Sequence, residues 1–173
     1  MNNISLDGYL LDTCLLSAFL DPTKLNHSAV CSVINNLDED APKYVSVITL
    51  AELRFGIRLA TLRGDKNTER LDEIVQAAKT HPPLNVTKHT AEEYGFIKAE
   101  LANKYLDKAL RKDGRPRWIE EWVDKATGQK LQIDENDLWL CAQAKERNLV
   151  LLTAEKKINR IKAVVPRIRI DTI

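Results

Sequence analysis

The chain has 173 residues, of which 44% are hydrophobic and 29% are charged, and its formal net charge is +1. This composition is typical of a folded globular protein and excludes an intrinsically disordered one. No apolar run reaches the roughly 18 residues that a transmembrane helix needs, and residues 1–5 lack the basic and apolar regions of a secretory signal. We therefore expect one domain over residues 1–173, located in the cytoplasm and not in a membrane.

Strand and helix patterns alternate along the first half of the chain. Residues 8–12 form an apolar run that predicts a buried strand, and a helix follows to about residue 20. A second helix is predicted over residues 27–37 and a strand over 44–47. Thr49 is then predicted to be the N-cap of a third helix.

The same alternation continues to the C-terminal end. The predicted elements are a helix over 68–79, a short strand over 84–86, a helix capped by Thr90 that extends to 101, a helix over 134–147, a strand over 149–153 and an edge strand over 167–170. Strands that alternate with helices favour a parallel sheet covered on both faces. We predict an α/β fold, a three-layer α/β/α sandwich around a central parallel sheet.

One segment, at about residues 103–132, does not follow this alternation. It is rich in charge, contains two glycines and a proline, and carries Trp118 and Trp122 one helical turn apart. We interpret it as a helical insertion and not as a second domain. The three cysteines, Cys14, Cys31 and Cys141, fit no metal-ligand spacing, and their odd number argues for reduced core residues.

Four acidic residues far apart in the sequence stand where strands end or helices begin: Asp12, Glu52, Asp137 and Glu155. Functional groups of a parallel sheet gather beyond the carboxyl ends of the strands, which puts Asp12 and Glu155 at one edge. Asp137 falls in the first turn of a helix, where the dipole favours a carboxylate. Buried carboxylates are costly unless they are paired or metal-bound. Their convergence predicts a site for a hard divalent cation in a hydrolase that acts on phosphate.

Each acid also has an ordinary structural role available to it. Asp12 has the position of a helix N-cap, and Asp137 has one that serves only the helix dipole. Glu52 lies three residues after Thr49 and would complete a capping box. Glu155, just before two lysines, has the place of a solvated loop residue.

Four segments of the chain resemble the PIN domain family, and within it the VapC-type toxins of toxin–antitoxin pairs. The matching segments are residues 9–13, 45–56, 136–144 and 149–155. The resemblance implies a PIN-like fold and endoribonuclease activity on structured RNA such as tRNA or rRNA. It also implies a VapB-like antitoxin as partner and a homodimer.

The donor types indicate how such a site would work. Carboxylates without histidine or thiolate partners favour Mg²⁺ or Mn²⁺. We expect Asp12 and Asp137 to be direct ligands, Glu52 to bind the ion or orient water, and Glu155 to serve a second ion or its hydration shell. Three further residues carry hydroxyl or amide groups suited to supporting hydrogen bonds or to the scissile phosphate: Thr13, Asn136 and Thr153.

Two features depart from the family pattern. Glu155 stands where the family usually has Asp or Asn, and the insertion makes the chain longer than a typical toxin. Asp134, three residues before Asp137, is interpreted as a helix N-cap. The segment 143–173, with eight basic residues against three acidic ones, suits a polyanion but equally an ordinary solvated surface.

Several alternatives stay open at this point. One alternative is a catalytically degenerate PIN-like module that binds nucleic acid or protein. Another is a binding-only partner protein whose acids are helix caps. A dinucleotide enzyme lacks support because no G-x-G-x-x-G follows the first strand. The insertion also suggests an RNA-binding surface, because four basic residues stand beside the tryptophans: Arg111, Lys112, Arg115 and Arg117. Burial of both tryptophans is the interpretation that we favour.

Overall fold

The fold is built on a five-stranded parallel sheet, seen in a computed structural model that describes residues 8–66 and 68–173, apart from the side chains of 111 and 112. The strands are β1 (Tyr9–Leu11), β2 (Lys43–Ser46), β3 (Pro83–Leu84), β4 (Val150–Thr153) and β5 (Arg169–Thr172). Their order across the sheet is β3-β2-β1-β4-β5, and every neighbouring pair is parallel. The predicted central parallel sheet is confirmed.

Helices cover both faces of the sheet. Within the described residues they are α1 (Thr13–Leu20), α2 (His27–Asn35), α3 (Val47–Leu62), α4 (Thr68–Ala78), α5 (Lys88–Tyr105), α6 (Lys108–Lys112), α7 (Glu135–Glu146) and α8 (Asn159–Lys162), with single 3₁₀ turns at Ile119–Glu121 and Lys156–Ile158. In the described parts of the chain, each helix is too short or too polar to span a lipid bilayer.

Alternation along the strands divides the core into two layers. Leu10 and Leu151 pack into the cluster formed with α5 and α7, whereas Leu11 and Leu152 pack into the cluster formed with α1 and α2. Successive strand residues point to opposite faces of the sheet. An uninterrupted apolar run therefore places apolar side chains on both faces, and both are buried. This is the three-layer arrangement that the sequence predicts.

Two helix starts differ from prediction. The α3 helix begins at Val47 and is capped by Ser46, whose hydroxyl accepts a hydrogen bond from the Ile48 N–H at 2.9 Å. Thr49 is therefore buried inside the helix, and the capping-box role proposed for Glu52 is wrong. The α5 helix is capped by Thr87, and Thr90 completes its capping box from the third helical position.

The insertion is less helical than predicted. It contains the five-residue helix α6, one 3₁₀ turn and an antiparallel bridge between Val123 and Lys130. Gly114 adopts a positive φ of 67° and Pro116 stands two residues later, so no continuous helix forms here. Trp122 is buried, as predicted, but Trp118 is 49% exposed.

The strand order creates a crevice at one edge of the sheet. From β1 the chain moves outward through β2 to β3 and later returns to the other side of β1 with β4 and β5. The carboxyl ends of β1 and β4 therefore flank the point where the direction of winding reverses. In open α/β sheets this is where ligands bind.

Candidate functional site

A cavity of about 330 Å³ opens at this switch point. The described residues that line it are Asp12, Thr13, Cys14, Ser17, Glu52, Leu53, Asp134, Asn136, Asp137, Leu140, Glu155 and Lys157. All four acids singled out in the sequence are thus brought to one place. Thr13 and Asn136 join them, and Thr153 lies behind Asp12 as its hydrogen-bond donor.

Asp12 is the most enclosed of the four carboxylates, with 5% of its surface exposed. It follows β1 and caps α1, where its Oδ1 accepts a hydrogen bond from the Thr13 N–H at 2.6 Å. Its Oδ2 accepts bonds from the Thr153 hydroxyl at 2.6 Å and from the Cys14 thiol at 3.0 Å. A carboxylate has about four acceptor positions, so the N-cap role and a ligand role are compatible.

Cys14 lies against this carboxylate as a protonated thiol. Burial, together with the negative charge of Asp12, raises the pKa of Cys14 to about 12. A thiol in that state donates a hydrogen bond and is a poor nucleophile or metal ligand. Cys14 therefore leaves the oxygen atoms of the cavity as the ligands available to a metal ion.

Glu52 joins three helices at the cavity wall. It lies in the second turn of α3, where one carboxylate oxygen accepts a hydrogen bond from the Thr13 hydroxyl of α1. The other oxygen accepts one from the Asn136 amide of α7 at 2.8 Å. Both oxygens are therefore held in place by side chains that themselves line the cavity.

Asp137 forms a reciprocal capping box with Asp134 at the start of α7. The Asp137 N–H donates to the Asp134 carboxylate at 2.8 Å, and the Asp134 N–H donates to the Asp137 carboxylate at 3.0 Å. Asp134 is thus the N-cap, as predicted. Burial raises the pKa of Asp137 to about 7, and the charges of Asp134 and Asp12 add to this effect. The cavity holds more negative charge than its basic residues neutralise.

Glu155 is the least constrained of the four acids. Its backbone N–H donates to the Thr153 hydroxyl at 2.9 Å, so the loop after β4 is fixed. Its side chain is 42% exposed and lies 3.5 Å from the Lys157 ammonium. Among the described residues that line the cavity, Lys157 is the single basic one.

The donor set fits a hard divalent cation by its chemistry. Carboxylate, amide and hydroxyl oxygens surround the cavity, and these suit Mg²⁺ or Mn²⁺ better than zinc. In residues 8–66 and 68–173, however, no three acidic, histidine or cysteine side chains already form a group that could hold an ion. The carboxylates are engaged instead by Thr13, Asn136, Thr153 and the Asp134 backbone.

Six residues that line the cavity were not predicted for the site: Cys14, Ser17, Leu53, Asp134, Leu140 and Lys157. Ser17 lies one helical turn beyond Thr13, so its position follows once α1 is placed. Lys157 belongs to a 3₁₀ turn that no periodicity indicates. Three of the eight basic residues of segment 143–173 are held in ion pairs that do not line the cavity, which favours the ordinary-surface interpretation for part of that charge: Lys145 with Glu93, Arg147 with Glu146 and Arg160 with Asp124.

The insertion is attached to the first turn of α7, next to the cavity. The Glu135 N–H donates to the Glu120 carboxylate at 3.0 Å, and the Ile119 N–H donates to the Glu135 carboxylate at 3.2 Å. Lys98 and Tyr94 of α5 also donate to Glu135. The Tyr94 ring stacks on Trp139 with 4.1 Å between ring centroids. The helix that carries Asn136 and Asp137 is therefore held from two sides.

Comparison with known proteins identifies the fold. The family model described as PIN domain matches residues 9–164. The fold is similar to that of VapBC2 from Rickettsia felis bound to a DNA fragment from its promoter, with 19% identity, a TM-score of 0.65 and coverage of 95% of this chain and 97% of the other. It is also similar to VapBC-5 from Mycobacterium tuberculosis, a member of the VapBC family of toxin–antitoxin systems, with 18% identity, a TM-score of 0.62 and coverage of 96% and 99%.

A third solved structure extends this agreement. DNA-bound VapBC from Salmonella typhimurium shares 24% identity and a TM-score of 0.59, with coverage of 97% of this chain and 98% of the other. At these identities the likeness concerns the fold. No curated protein matches the chain in sequence.

Proposed function

Since the chain belongs to the PIN domain family, we propose that it is a metal-dependent endoribonuclease that hydrolyses phosphodiester bonds in structured RNA of the tRNA or rRNA class. The observation that carries this proposal is the meeting of Asp12, Glu52, Asp137 and Glu155 around one cavity at the switch point. With Asp134, five carboxylates and one lysine line the cavity. So much negative charge is costly unless cations compensate it, and divalent cations bound there would face a phosphate.

The roles of the residues follow from their contacts. Asp12 and Asp137 would hold Mg²⁺ or Mn²⁺ directly, with Glu52 as ligand or as acceptor for the attacking water and Glu155 further out. The bound ion would supply Lewis acidity and lower the pKa of water. Thr153 fixes Asp12, while Thr13 and Asn136 fix Glu52. Lys157 offers a positive charge to the phosphate.

We also propose that the protein is the toxin of a toxin–antitoxin pair. The solved structures of similar fold include VapBC complexes, which supports a VapB-like antitoxin as partner. The described cysteines are free thiols, in keeping with a reducing cytoplasm. A homodimer is part of the same proposal.

Cleavage of RNA by the purified chain tests the enzymatic proposal. Total RNA and a tRNA pool would be incubated with the protein in Mg²⁺, Mn²⁺ or EDTA, beside Asp12→Asn, Asp137→Asn and the exposed control Asp72→Asn. We expect the wild type and the control to cleave only with metal, and both site variants to lose at least about a hundredfold in rate. Cleavage that persists in EDTA or in both site variants contradicts the proposal.

A second function is favoured by one specific observation. Glu155, which pairs with Lys157 and is 42% exposed, stands at the position where the family usually carries Asp or Asn. A catalytically degenerate module that binds nucleic acid or protein would tolerate this change. Folded protein that neither cleaves RNA nor binds Mn²⁺ in calorimetry would favour that function over the first.

A further inference from the structure

The insertion displays an aromatic side chain that the fold leaves half exposed. Trp118 is 49% exposed, whereas Trp122, four residues later, is 1% exposed. The Arg117 guanidinium lies over the Trp118 ring, with 4.7 Å between its carbon and the ring centroid. One face of the indole is thus covered by a cation, and much of the remaining surface is open.

The backbone that carries this pair is fixed on both sides. Before it, the Trp122 indole N–H donates to the Pro116 carbonyl at 2.9 Å. After it, the Ile119 N–H donates to the Glu135 carboxylate at 3.2 Å. A rigidly held aromatic loses little conformational entropy when a ligand stacks on it, which favours binding.

The pair also lies close to the candidate catalytic cavity. Ile119 and Glu120, the next residues in the chain, both hydrogen-bond Glu135. Glu135 directly precedes Asn136 and Asp137, which line the cavity. A nucleic-acid strand whose phosphate lies at the cations held by these carboxylates would therefore have the pair near its flanking nucleotides.

The local charge suits a polyanion. Within residues 111–117 four basic residues, Arg111, Lys112, Arg115 and Arg117, stand against one acidic residue, Asp113. Of the acids that follow, Glu120 is engaged by the start of α7. Positive charge beside an exposed aromatic is the combination that binds single-stranded nucleic acid, because cations contact phosphates and the ring stacks on a base.

We propose that Arg117 and Trp118 bind an unpaired stretch of RNA next to the cleaved bond, with a base stacked on the indole and the guanidinium at an adjacent phosphate. The inference rests on the proposed function for the identity of the nucleic acid as substrate. Bases inside an A-form duplex are already stacked on one another, so the pair selects unpaired over paired RNA.

Binding measured without cleavage tests this site. In an Asp12→Asn background, Trp118→Ala, Trp118→Phe and Arg117→Ala would be titrated with single-stranded poly(U) and with the poly(A)·poly(U) duplex. We expect Trp118→Ala to weaken poly(U) binding about five- to a hundredfold. Trp118→Phe, which keeps an aromatic ring, should retain much of the affinity. Arg117→Ala should lower the slope of affinity against salt by about 0.7, as expected for one lost phosphate contact on a single strand.

The chain provides a matched control on another surface. Phe96 of α5 is 44% exposed, and the Lys145 ammonium lies 5.1 Å from its ring centroid, so it is also an exposed aromatic beside a cation. Phe96→Ala should change poly(U) affinity less than about twofold. Equal losses in Phe96→Ala and Trp118→Ala, or no binding of poly(U) by any form, would overturn the inference.

The two proposals fail in different ways. Protein that binds poly(U) through Trp118 yet cleaves no RNA contradicts the nuclease and leaves the binding site standing. Protein that cleaves RNA while Trp118→Ala keeps its affinity and its KM contradicts the binding site alone.

Discussion

Thr13 and Asn136 hold the Glu52 carboxylate from two different helices. The Thr13 hydroxyl donates to one oxygen and the Asn136 amide to the other. Both donors depend on the placement of α1 and α7 and not on α3 itself. Groups that orient a metal-site carboxylate in this way set its affinity for the ion although they do not contact the ion.

Asn136→Ala tests this dependence. Removal of the amide frees one oxygen of Glu52, and we expect cleavage and Mn²⁺ affinity to fall about ten- to a hundredfold. Calorimetric titration with Mn²⁺ and initial cleavage rates would measure the two effects. Asn26→Ala is the control, since Asn26 at the start of α2 makes no capping hydrogen bond with its side chain. An unchanged Mn²⁺ affinity in Asn136→Ala would remove Asn136 from the site.

Glu155 should matter less than the other acids. Its side chain is 42% exposed and is paired with Lys157, and solvent screens charges at such positions. We expect Glu155→Gln to slow cleavage less than about fivefold, in contrast to Asp12→Asn. Cleavage rates of both variants at equal metal concentration check this. A loss in Glu155→Gln as large as that in Asp12→Asn would make Glu155 a direct ligand.

At the scale of elements, one carboxylate joins the start of α5 to the end of α7. Glu146 accepts hydrogen bonds from the Thr87 and Thr90 hydroxyls, and Arg147 pairs with it at 2.5 Å. Burial opposes ionisation of Glu146, but these donors and the Arg147 charge outweigh it, so its pKa lies below the ordinary 4.5. The charge therefore helps to fix the helix that carries Asn136 and Asp137.

Glu146→Gln should destabilise the fold in a pH-dependent way. A depressed pKa in the folded state gives stability that is present above the unfolded pKa and is lost as pH falls through the folded pKa. We expect a loss of about 1–2 kcal/mol in the free energy of unfolding at pH 7. The difference from wild type should shrink below pH 4.5. Urea unfolding across this pH range measures it, with exposed Glu73→Gln as control; a difference that is constant with pH contradicts the assignment.

At the scale of the whole molecule, the insertion belongs to the core. Trp122, Ile119, Leu131 and Ile133 are each at most 1% exposed and share one apolar cluster with residues of α5 and α7. Arg160 of α8 pairs with Asp124 at 3.3 Å and ties the segment to the helix that precedes β5. The segment therefore completes a layer of the sandwich.

The two tryptophans should differ sharply in their effect on stability. Trp122→Ala removes a filled volume from the core, and we expect a loss of about 3–5 kcal/mol. Trp118→Ala removes an exposed ring, and we expect a change within about 0.5 kcal/mol. Urea unfolding of both variants provides the comparison. Equal losses would mean that Trp118 also supports the fold.

The parallel sheet and the positions of Asp12 and Glu155 at strand ends could be predicted from the sequence. The apolar runs before Asp12 and Glu155 are long enough to be buried on both faces, and a parallel sheet brings their ends together. Glu52 has no such strand-end argument, because its contacts with Thr13 and Asn136 depend on how three helices pack.

The N-cap of α3 and the identity of the buried tryptophan could not be predicted, because in each case two residues of similar chemistry were available. Ser46 and Thr49 are both good N-caps, and the earlier one caps the helix because β2 ends there. Trp118 and Trp122 are chemically the same, but Trp122 is the one that is buried and donates its indole N–H to the Pro116 carbonyl. Periodicity carries no signal for either choice.

The pairing of β1 with β4 has a consequence for synthesis of the protein. Asp12 accepts one of its hydrogen bonds from Thr153, which is 141 residues later in the chain, and β1 lies between β2 and β4 in the sheet. Chains emerge from the ribosome N-terminus first, so the cavity cannot close around Asp12 on a nascent polypeptide that lacks β4. A chain that ends before residue 153 would thus lack the Thr153 contact to Asp12 and the β4 edge of the cavity, so the proposed activity requires translation through β4.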